Sequence, residues 1–528
     1  MEKRVYYPIG QQNFKRLIEA DCIYVDKTRY IDRILASRGR YFFLARPRRF
    51  GKSLFLSTLE YFFKGERDLF RGLHADTIDW QWEEYPVLRL DLNTDRYDEP
   101  GMLEITLESR LREWERKYGV ENLAGSLPAR FSDIIAAAHH TTGKQVVILV
   151  DEYDKPLVGN LNRSGNFEHY RSRLAGLYSC FKSSAEHIRL VFLTGVSRFS
   201  KLSVFSDLNN IKDISFSDDY ADICGITEQE LYDNFQQGIS LIADNLGISY
   251  EQACLNLKKN YDGYRFAAKG SDIYNPWSLL NAMADKTIAN YWNDTGIPTI
   301  MAEALKKVNA NLRKTFDKYV EVARLKGLDL LNPDPTALLY QTGYLTIKEY
   351  DRDLDMYRLG IPNREVKKGL FDVLLPYCSQ CITESANSIL SEIVVSLKLG
   401  RPAEFMDLMA SFFSGIPYSL RMENENNFQN AFYLLLSLIG LETEAEEQTS
   451  DGRIDITIRT PKYIYIIELK YDGSADDALD QIERKKYARK YLPDSRRIFS
   501  IGAAFSTKTR TIEDYRILDQ QEPSSPRQ

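Results

Sequence analysis

The sequence predicts a multidomain α/β protein with a parallel sheet in its first part, a mostly helical middle region and a second, smaller α/β domain. Three short apolar runs in the first part are typical of strands that are buried on both faces. From Thr227 onward the apolar residues recur at helical spacing, and beyond Gly415 and Pro417 short alternating strand patterns return. A chain of 528 residues has room for several domains. We expect domains over residues 1–225, 226–415 and 416–515, and a disordered tail over 516–528.

The composition is that of a globular protein without secreted or membrane-spanning features. Hydrophobic residues make up 44% and charged residues 27% of the chain, and the formal net charge is −6. A nucleic-acid-binding surface would therefore have to be a local basic patch. Six scattered cysteines indicate a reducing compartment rather than a disulfide framework. No apolar run approaches about 18 residues, and the start has no signal-peptide pattern. We expect a cytoplasmic protein that does not bind membranes.

The first strand leads into a loop with the features of a phosphate-binding loop. The apolar run Tyr41–Ala45 is followed by a basic turn, a Gly-Lys-Ser sequence and a helical apolar pattern. Loop amides and a helix N-terminus attract phosphates, a lysine there reaches the outer phosphates, and a serine hydroxyl binds Mg²⁺. We expect five consecutive residues to bind a nucleotide: Arg49, Phe50, Gly51, Lys52 and Ser53.

One position departs from the general pattern G-x-x-x-x-G-K-[ST]. Arg46 stands where that pattern has its first glycine, and Pro47 removes an amide donor. The alternative interpretation is a basic turn before an ordinary helix. Arg46 therefore leaves nucleotide hydrolysis less secure than nucleotide binding.

Two further buried strands end in polar side chains. The run Gln145–Asp154 contains Asp151 and Glu152 directly after its β-branched residues, and Arg189–Thr194 leads to Arg198. Ligands of open α/β sheets lie beyond the carboxyl ends of the strands. Asp151 therefore suits a Mg²⁺ shell and Glu152 suits polarisation of a water. Each pattern also fits an ordinary solvated turn.

The last two polar side chains are candidates for contact with the terminal phosphate. Thr194 ends its strand and could contact the γ-phosphate, and Arg198 could stabilise charge in cis or across the interface of a homo-oligomer. The middle region contains no catalytic constellation. It begins with a helix start at Thr227 and Glu230 and contains a hairpin built from 344–347 and 356–359.

A second cluster of charged residues lies in the last domain. On the strand Tyr463–Lys470, Glu468 and Lys470 share one face, because side chains two residues apart point the same way. An Asp-Gly turn in the preceding hairpin would bring Asp455 close to them, and Glu425 could join from a helix. Carboxylates with a lysine suit Mg²⁺ binding and in-line hydrolysis of a phosphodiester. An isolated E-x-K pair is more often a surface salt bridge.

The segment after this strand has the pattern of a basic helix. We expect a helix over Asp477–Tyr491 that contributes Gln481 to the site. The same helix would contact the backbone of DNA or RNA through four residues: Lys485, Lys486, Tyr487 and Arg489.

These motifs resemble two known families. The stretches ARPRRFGKS, DEYD and LTGVSRFS resemble the bacterial AAA-ATPase-like family. The stretches DGRIDITI, YIIELK and ALDQIERKKYA resemble the PD-(D/E)xK nuclease superfamily domain that is usually fused to it. The resemblance implies a P-loop NTPase core, a helical middle and a C-terminal restriction-endonuclease-like α/β domain. It also implies ATP and Mg²⁺ as cofactors, with Mn²⁺ as a substitute for Mg²⁺.

The resemblance assigns roles residue by residue. It implies that Lys52 and Ser53 bind phosphate, that Asp151 and Glu152 act on metal and water, and that Gln481 and Tyr487 occupy auxiliary helix positions. The nuclease triad would be Asp455, Glu468 and Lys470, with Glu425 as the acid of the N-terminal helix.

Three hypotheses follow from the sequence. The leading one is an ATP-binding protein coupled to a Mg²⁺-dependent nuclease that hydrolyses nucleic-acid phosphodiesters. The second is a nucleotide-dependent binding switch without nuclease turnover, and the third is a scaffold with two decayed sites. Nucleic-acid cleavage and phosphate release identify an enzyme, and isothermal titration with nucleotide and divalent metal separates a binding switch from a scaffold.

Overall fold

The computed structural model divides the chain into two compact units. The first comprises Met1–Ala304 and Phe316–Val366, and the second comprises Leu305–Thr315 and Lys367–Gln528. These units do not follow the limits expected at residues 225 and 415, which stay predictions. The structure describes residues 5–120, 125–160, 163–198, 210–292, 318–327, 334–370, 384–414, 432, 442–449, 452–506, 508–509 and 511–521. Glu425 and residues 522–528 of the expected tail lie outside these residues, whereas residues 516–519 of that expected tail belong to a strand that ends at Asp519.

The first unit is built on a five-stranded parallel sheet. Its order is β2-β3-β4-β1-β5, and every recorded pairing in it is parallel. The central strands are buried along almost their whole length, as their β-branched runs predict. The strands are β1 (Tyr41–Ala45), β2 (Val87–Asp91), β3 (Val146–Asp151), β4 (Ile188–Gly195) and β5 (Lys212–Asp213).

The order of the strands creates a crevice at their carboxyl ends. The chain leaves β1 towards β2 on one side, whereas the segment after β4 crosses to β5 on the other side. The connections from the neighbouring strands β1 and β4 therefore run in opposite directions. In open α/β sheets ligands bind at such a switch point.

Helices flank this sheet and bury its faces. Leu107, Phe131 and Leu174 lie in one buried cluster with Ile148 and Val191 of the sheet. Burial of such a side chain contributes about 1.5–3 kcal/mol. The helices are α1 (Phe14–Glu19), α2 (Arg29–Ala36), α3 (Lys52–Phe63), α4 (Met102–Tyr118), α5 (Leu127–Thr142), α6 (Lys155–Val158) and α7 (Ser164–Ser183).

A helical region follows within the same unit. Thr227 and Glu230 form a capping box at the first helix, each side chain accepting the other's backbone N–H. Here a two-stranded antiparallel sheet joins the helices. The elements are β6 (Ile226–Thr227), α8 (Glu228–Asn234), α9 (Gln236–Leu246), α10 (Tyr250–Tyr261), β7 (Ile273–Tyr274) and α11 (Pro276–Asp285).

The hairpin expected in the middle region is part of a three-stranded antiparallel sheet. Its order is β8-β10-β9, so a strand distant in sequence pairs with the hairpin. The elements are β8 (Lys318–Glu321), α12 (Val322–Leu325), α13 (Pro335–Gln341), β9 (Thr346–Asp351) and β10 (Met356–Gly360).

The second unit contains a five-stranded mixed sheet, which confirms the predicted multidomain α/β class. Its order is β11-β12-β13-β14-β15, with only β13 and β14 parallel among these pairings. Ile467 and Phe499 are buried on one face of the sheet. Ile466 is buried on the other face, together with Ile482 from the helix that covers it. The elements are α14 (Glu384–Leu399), α15 (Pro402–Ser414), β11 (Glu442–Thr449), β12 (Gly452–Arg459), β13 (Tyr463–Tyr471), α16 (Ala475–Arg484), β14 (Arg497–Phe505) and β15 (Ile512–Asp519).

In the part of the chain that the structure describes, no helix is both long and apolar enough to cross a bilayer.

Candidate functional sites

The loop between β1 and α3 encloses a buried lysine. Gly51 caps α3 in the left-handed conformation, with a φ of 96° that favours glycine. Lys52, the first residue of α3, is 3% exposed. Its Nζ donates to the carbonyls of Arg46 and Pro47 at 3.1 and 3.2 Å and lies 3.2 Å from Oε1 of Glu152. The ammonium group is therefore fixed at the carboxyl end of the sheet.

The acidic end of β3 lies next to this loop. Thr194 at the end of β4 donates from Oγ1 to Oδ1 of Asp151 at 2.6 Å. Burial raises the pKa of Asp151, while hydrogen bonds from Thr194 and Ser53 and the charge of Lys52 oppose that rise. Asp151, Ser53 and Thr194, which come from three separate segments, thus meet at one point.

Glu152 adopts an unusual backbone conformation. Its φ is 52°, in the left-handed region that costs a non-glycine residue roughly 1–3 kcal/mol. Such strained residues cluster at functional sites. In this conformation the carboxylate of Glu152 lies next to the ammonium group of Lys52 and is 17% exposed to solvent. The sequence gives no sign of this conformation.

Two residues that we did not assign to the site from the sequence connect the ends of β3 and β4. Asp154 accepts hydrogen bonds from the backbone N–H groups of Val196 and Ser197, the latter at 2.6 Å. Tyr153 donates from its hydroxyl to the carbonyl of Ser197 at 2.9 Å. Burial, and then the charge of Glu152, raise the pKa of Asp154 to about 6. The signal available in the sequence was the third acid of the stretch DEYD, which is Asp154.

The side chain of Arg198 pairs with a residue of β5. Its Nε forms an ion pair with Asp213, and its backbone N–H donates to Oε1 of Gln341 at 3.0 Å. A role at the γ-phosphate would require this ion pair to open. The assignment of Arg198 as a charge stabiliser stays a prediction.

Arg46 is a structural residue of the loop. It is 1% exposed, and its two terminal nitrogens donate to the carbonyls of Ala45, Ser215 and Tyr220 at 2.9, 2.8 and 3.0 Å. Its guanidinium carbon lies 4.4 Å from the centre of the Phe266 ring. Arg46 therefore connects the loop to the segment after β5, and burial lowers its pKa.

Arg49 and Phe50 use their side chains for packing. The guanidinium of Arg49 lies 3.7 Å from the centre of the Trp277 ring. Phe50 is 1% exposed and contacts Tyr264 and Phe266 edge to face. Only the backbone of Phe50 is therefore left for its expected contact with nucleotide, because its side chain is buried.

An apolar cavity of about 90 Å³ borders the same loop. Lys27 also lines it, but Nζ of Lys27 donates to the carbonyl of Asp222 and to both carboxylate oxygens of Glu230. These contacts occupy the three protons of the ammonium group. The apolar lining of the cavity includes Ile23, Val25, Leu54, Ile226, Phe235 and Leu280.

In the second unit, the predicted acids and lysine converge on the face covered by α16. The pairing of β12 with β13 ends at Ile456 and Ile467, and beyond it Oδ2 of Asp455 accepts the N–H of Leu469 at 3.0 Å. Lys470 donates from Nζ to Oε1 of Gln481 at 2.6 Å. Nε2 of Gln481 in turn donates to Oε1 of Glu468. Gln481 therefore links the lysine to the buried acid.

Glu468 has the features of an incomplete metal ligand. It is 3% exposed, and within the described residues its Oε2 is buried without a hydrogen-bond partner. Burial, and then the neighbouring charge of Asp455, raise its pKa to about 8. Buried polar atoms normally have partners, so two adjacent carboxylates with one such oxygen fit a divalent cation.

These two acids are not a full ligand set by themselves. Among the described residues no three His, Cys, Asp or Glu side chains already surround one point. Glu425, the predicted third acid, lies outside those residues.

The predicted nucleic-acid face differs from the structure at Tyr487. Helix α16 ends at Arg484 because Lys486 has a φ of 51°, and a short 3-10 turn follows. Tyr487 is 2% exposed and packs under the sheet, so it cannot lie on the exposed basic face. The three basic residues of that prediction are exposed: Lys485, Lys486 and Arg489.

The chain resembles known proteins over most of its length. A family model described as a predicted AAA-ATPase matches residues 8–205, and one for the PD-(D/E)XK nuclease superfamily matches residues 423–515. A protein of Azotobacter chroococcum mcd 1, described as an uncharacterized protein in the vnfD 5' region, is 34% identical over 519 residues. That match covers 96% of this chain and 97% of the relative.

Among solved structures, the ORC2 protein of Aeropyrum pernix in ADPNP and ADP complexes is 10% identical, covering 71% of this chain and 95% of that chain. The TM-score is 0.25, which is too low to support an inference.

Proposed function

Because the chain belongs to the predicted AAA-ATPase family and carries a PD-(D/E)XK nuclease superfamily domain, we propose that it binds ATP and hydrolyses nucleic-acid phosphodiesters with a divalent metal. The observation that carries the nuclease half is the chain of contacts Lys470–Gln481–Glu468 beside Asp455. The nucleotide half rests on the meeting of Lys52, Asp151 and Glu152 at the carboxyl end of a parallel sheet.

In the nucleotide half, the phosphates would lie against the N-terminus of α3, where Lys52 exchanges its carbonyl contacts for phosphate oxygens. Ser53 and Asp151 would hold Mg²⁺, which supplies positive charge between the outer phosphates when it is bound. Glu152 would orient the attacking water, since its carboxylate already faces this point. The apolar cavity beside Gly51 is suited to the base.

In the nuclease half, Asp455 and Glu468 would hold Mg²⁺ or Mn²⁺, and Glu425 is a candidate for a third carboxylate. The bound ion supplies positive charge at the phosphate. Lys470 would orient the water, and Gln481 fixes the directions of both Lys470 and Glu468. Lys485, Lys486 and Arg489 would contact the backbone of the nucleic acid.

Cleavage of defined substrates tests the nuclease half. Labelled single- and double-stranded DNA and RNA are incubated with the purified chain and Mg²⁺ or Mn²⁺, with and without ATP. We expect cleavage that both Asp455→Ala and Lys470→Ala abolish. Asp514→Ala is the matched control, since this exposed acid pairs with Arg516 outside the site, and it should cleave like wild type. Failure of the wild type to cut any of the four substrates would contradict the proposal.

The alternative is a nucleotide-dependent binding switch. The ion pair of Arg198 with Asp213 favours it, because this pairing engages the arginine that we expected to stabilise charge at the γ-phosphate. Phosphate release separates the two functions. An ATPase should lose about 100-fold or more of its rate in Glu152→Gln while still binding nucleotide. A binding switch releases no phosphate in either protein.

A further inference from the structure

Three of the five histidines of the chain lie side by side in the first unit. His139 and His140 occupy the last turn of α5, and His187 ends a short turn directly before β4. The ring centres of His139 and His187 are 5.1 Å apart, and those of His140 and His187 are 5.5 Å apart. The three rings form what we call the histidine cluster.

Two ring nitrogens of the cluster point at each other. Nδ1 of His139 and Nδ1 of His187 are 2.8 Å apart, so one nitrogen carries a proton and donates it to the other. On the far side of its ring, Nε2 of His187 lies 3.5 Å from Oε1 of Glu186. A carboxylate at Nε2 favours the tautomer with its proton there, which leaves the lone pair on Nδ1.

The backbone that holds His187 is anchored. Arg40 donates from Nη1 to the carbonyl of Ala185 at 3.0 Å, and Gln145 donates from Nε2 to the carbonyl of Glu186 at 2.8 Å. These two hydrogen bonds fix the turn that leads into His187. The ring of His187 is 18% exposed, and His140 is exposed, so solvent and ions can reach the cluster.

We propose that the histidine cluster binds a divalent transition-metal ion, with Nδ1 of His139 and Nδ1 of His187 as the first two ligands. On binding, the proton that the two Nδ1 atoms share moves to Nε2 of His139, so both rings stay neutral.

The ligand type indicates which ions fit. Imidazole nitrogens suit borderline divalent ions such as Ni²⁺, Cu²⁺ and Zn²⁺, and the affinity of nitrogen sites rises from Ni²⁺ to Cu²⁺. The 2.8 Å separation is that of a hydrogen bond, so both rings must turn when an ion replaces the shared proton. The described residues do not yet place a third ligand at this point, so the exposed ring of His140 must rotate to supply it.

The site would be separate from the proposed nucleotide site. Strand β4 begins directly after His187 at one end of the sheet and reaches Thr194 at the other, a span of about 20–25 Å. Metal binding here therefore does not require the residues of the nucleotide site, and the histidine cluster contains none of the proposed nuclease ligands.

Calorimetric titration of Ni²⁺ and Cu²⁺ into the untagged full chain tests the proposal. The titrated protein carries Asp455→Ala and Glu468→Gln, so that the nuclease carboxylates contribute nothing. We expect one equivalent of ion to bind, and His187→Ala or His139→Ala to weaken it by about tenfold or more. His187→Gln, which keeps the size of the side chain, should weaken binding equally and serves if His187→Ala does not fold.

His169→Ala is the matched control. His169 is also partly exposed and lies 2.6 Å from a glutamate, but it is outside the histidine cluster. Its removal should leave the Ni²⁺ and Cu²⁺ affinities unchanged. The proposal is overturned if no ion binds, or if the His169→Ala and His187→Gln proteins bind these ions equally well.

Discussion

At the scale of single residues, Arg46 changes the interpretation of the phosphate-binding loop. The sequence indicates a departure from the glycine pattern, but it does not indicate the reason. Two of the carbonyls that Arg46 contacts belong to Ser215 and Tyr220, about 170 residues away, and no local pattern predicts such contacts. The arginine therefore replaces the flexibility of glycine with a fixed connection.

Replacing Arg46 with the glycine of the general pattern should lower the free energy of unfolding. Arg46→Gly removes four hydrogen bonds to backbone carbonyls and leaves a void against Phe266, so we expect a loss of about 2–4 kcal/mol in unfolding free energy. Urea unfolding measures it. Arg48→Gly, at an exposed position of the same loop, should change stability far less. Equal stability of the two variants would show that Arg46 does not hold the loop.

Asp262 should make stability depend on pH. It directly follows the last residue of α10 and is 3% exposed, and burial raises its pKa to about 6. The folded chain therefore binds a proton more tightly than the unfolded chain. This contribution is fully present below about pH 4 and is lost as the pH rises through about 6.

The comparison with Asp262→Asn isolates this effect. Relative to the variant, the wild type should lose about 2 kcal/mol of unfolding free energy between about pH 4 and about pH 8. Urea unfolding at several pH values measures both proteins. A difference that stays constant over this range would mean that Asp262 does not titrate with a raised pKa.

At the scale of elements, local patterns predict strands better than they predict where helices end. The strand expected at Tyr41–Ala45 has those bounds in the structure, and Tyr463–Lys470 differs from β13 by one residue. The helix expected over Asp477–Tyr491 ends at Arg484, because the backbone turns at Lys486 to bury Tyr487. Such burial depends on the tertiary core, so helical spacing alone does not show it.

The packing of α16 on β14 should control the nuclease site. A Cβ on Gly502 would lie 2.4 Å from the carbonyl oxygen of Ala475 and from the backbone nitrogen of Leu479. Gly502→Ala should therefore push α16 outward and separate Gln481 from Glu468 and Lys470. We expect lower stability and at least tenfold slower cleavage, measured by urea unfolding and the substrate assay.

Gly165→Ala is the control for this substitution. A Cβ at Gly165, in α7, would meet nothing within 4 Å, so it should leave cleavage unchanged. Wild-type cleavage by Gly502→Ala would contradict the positioning role of α16.

At the scale of the whole molecule, the sequence predicts the class of the fold and the chemistry at each site, but not the pairing of distant segments. The acids and lysines were identifiable because Asp151, Glu468 and Lys470 interrupt or end apolar strands. The order β2-β3-β4-β1-β5 and the pairing of β8 with the hairpin depend on contacts far apart in sequence. The same is true of the division into two units, which follows neither predicted limit.

Nucleotide should stabilise the chain against thermal unfolding. Binding to the folded form alone adds about 2.7 kcal/mol at a ligand concentration of 100 times Kd. We expect ATP with Mg²⁺ to raise the unfolding temperature of the wild type but not of Lys52→Ala. Lys182→Ala, at an exposed lysine near the end of α7, should respond like wild type. An equal rise in the unfolding temperature of Lys52→Ala would show that the nucleotide does not bind at the predicted loop.

The most direct test of the nuclease proposal is anomalous diffraction from crystals of the chain soaked in Mn²⁺. The account predicts a peak at about 2.0–2.6 Å from carboxylate oxygens of both Asp455 and Glu468, and no such peak in Asp455→Ala crystals. Well-ordered carboxylates without a peak between them would contradict the account.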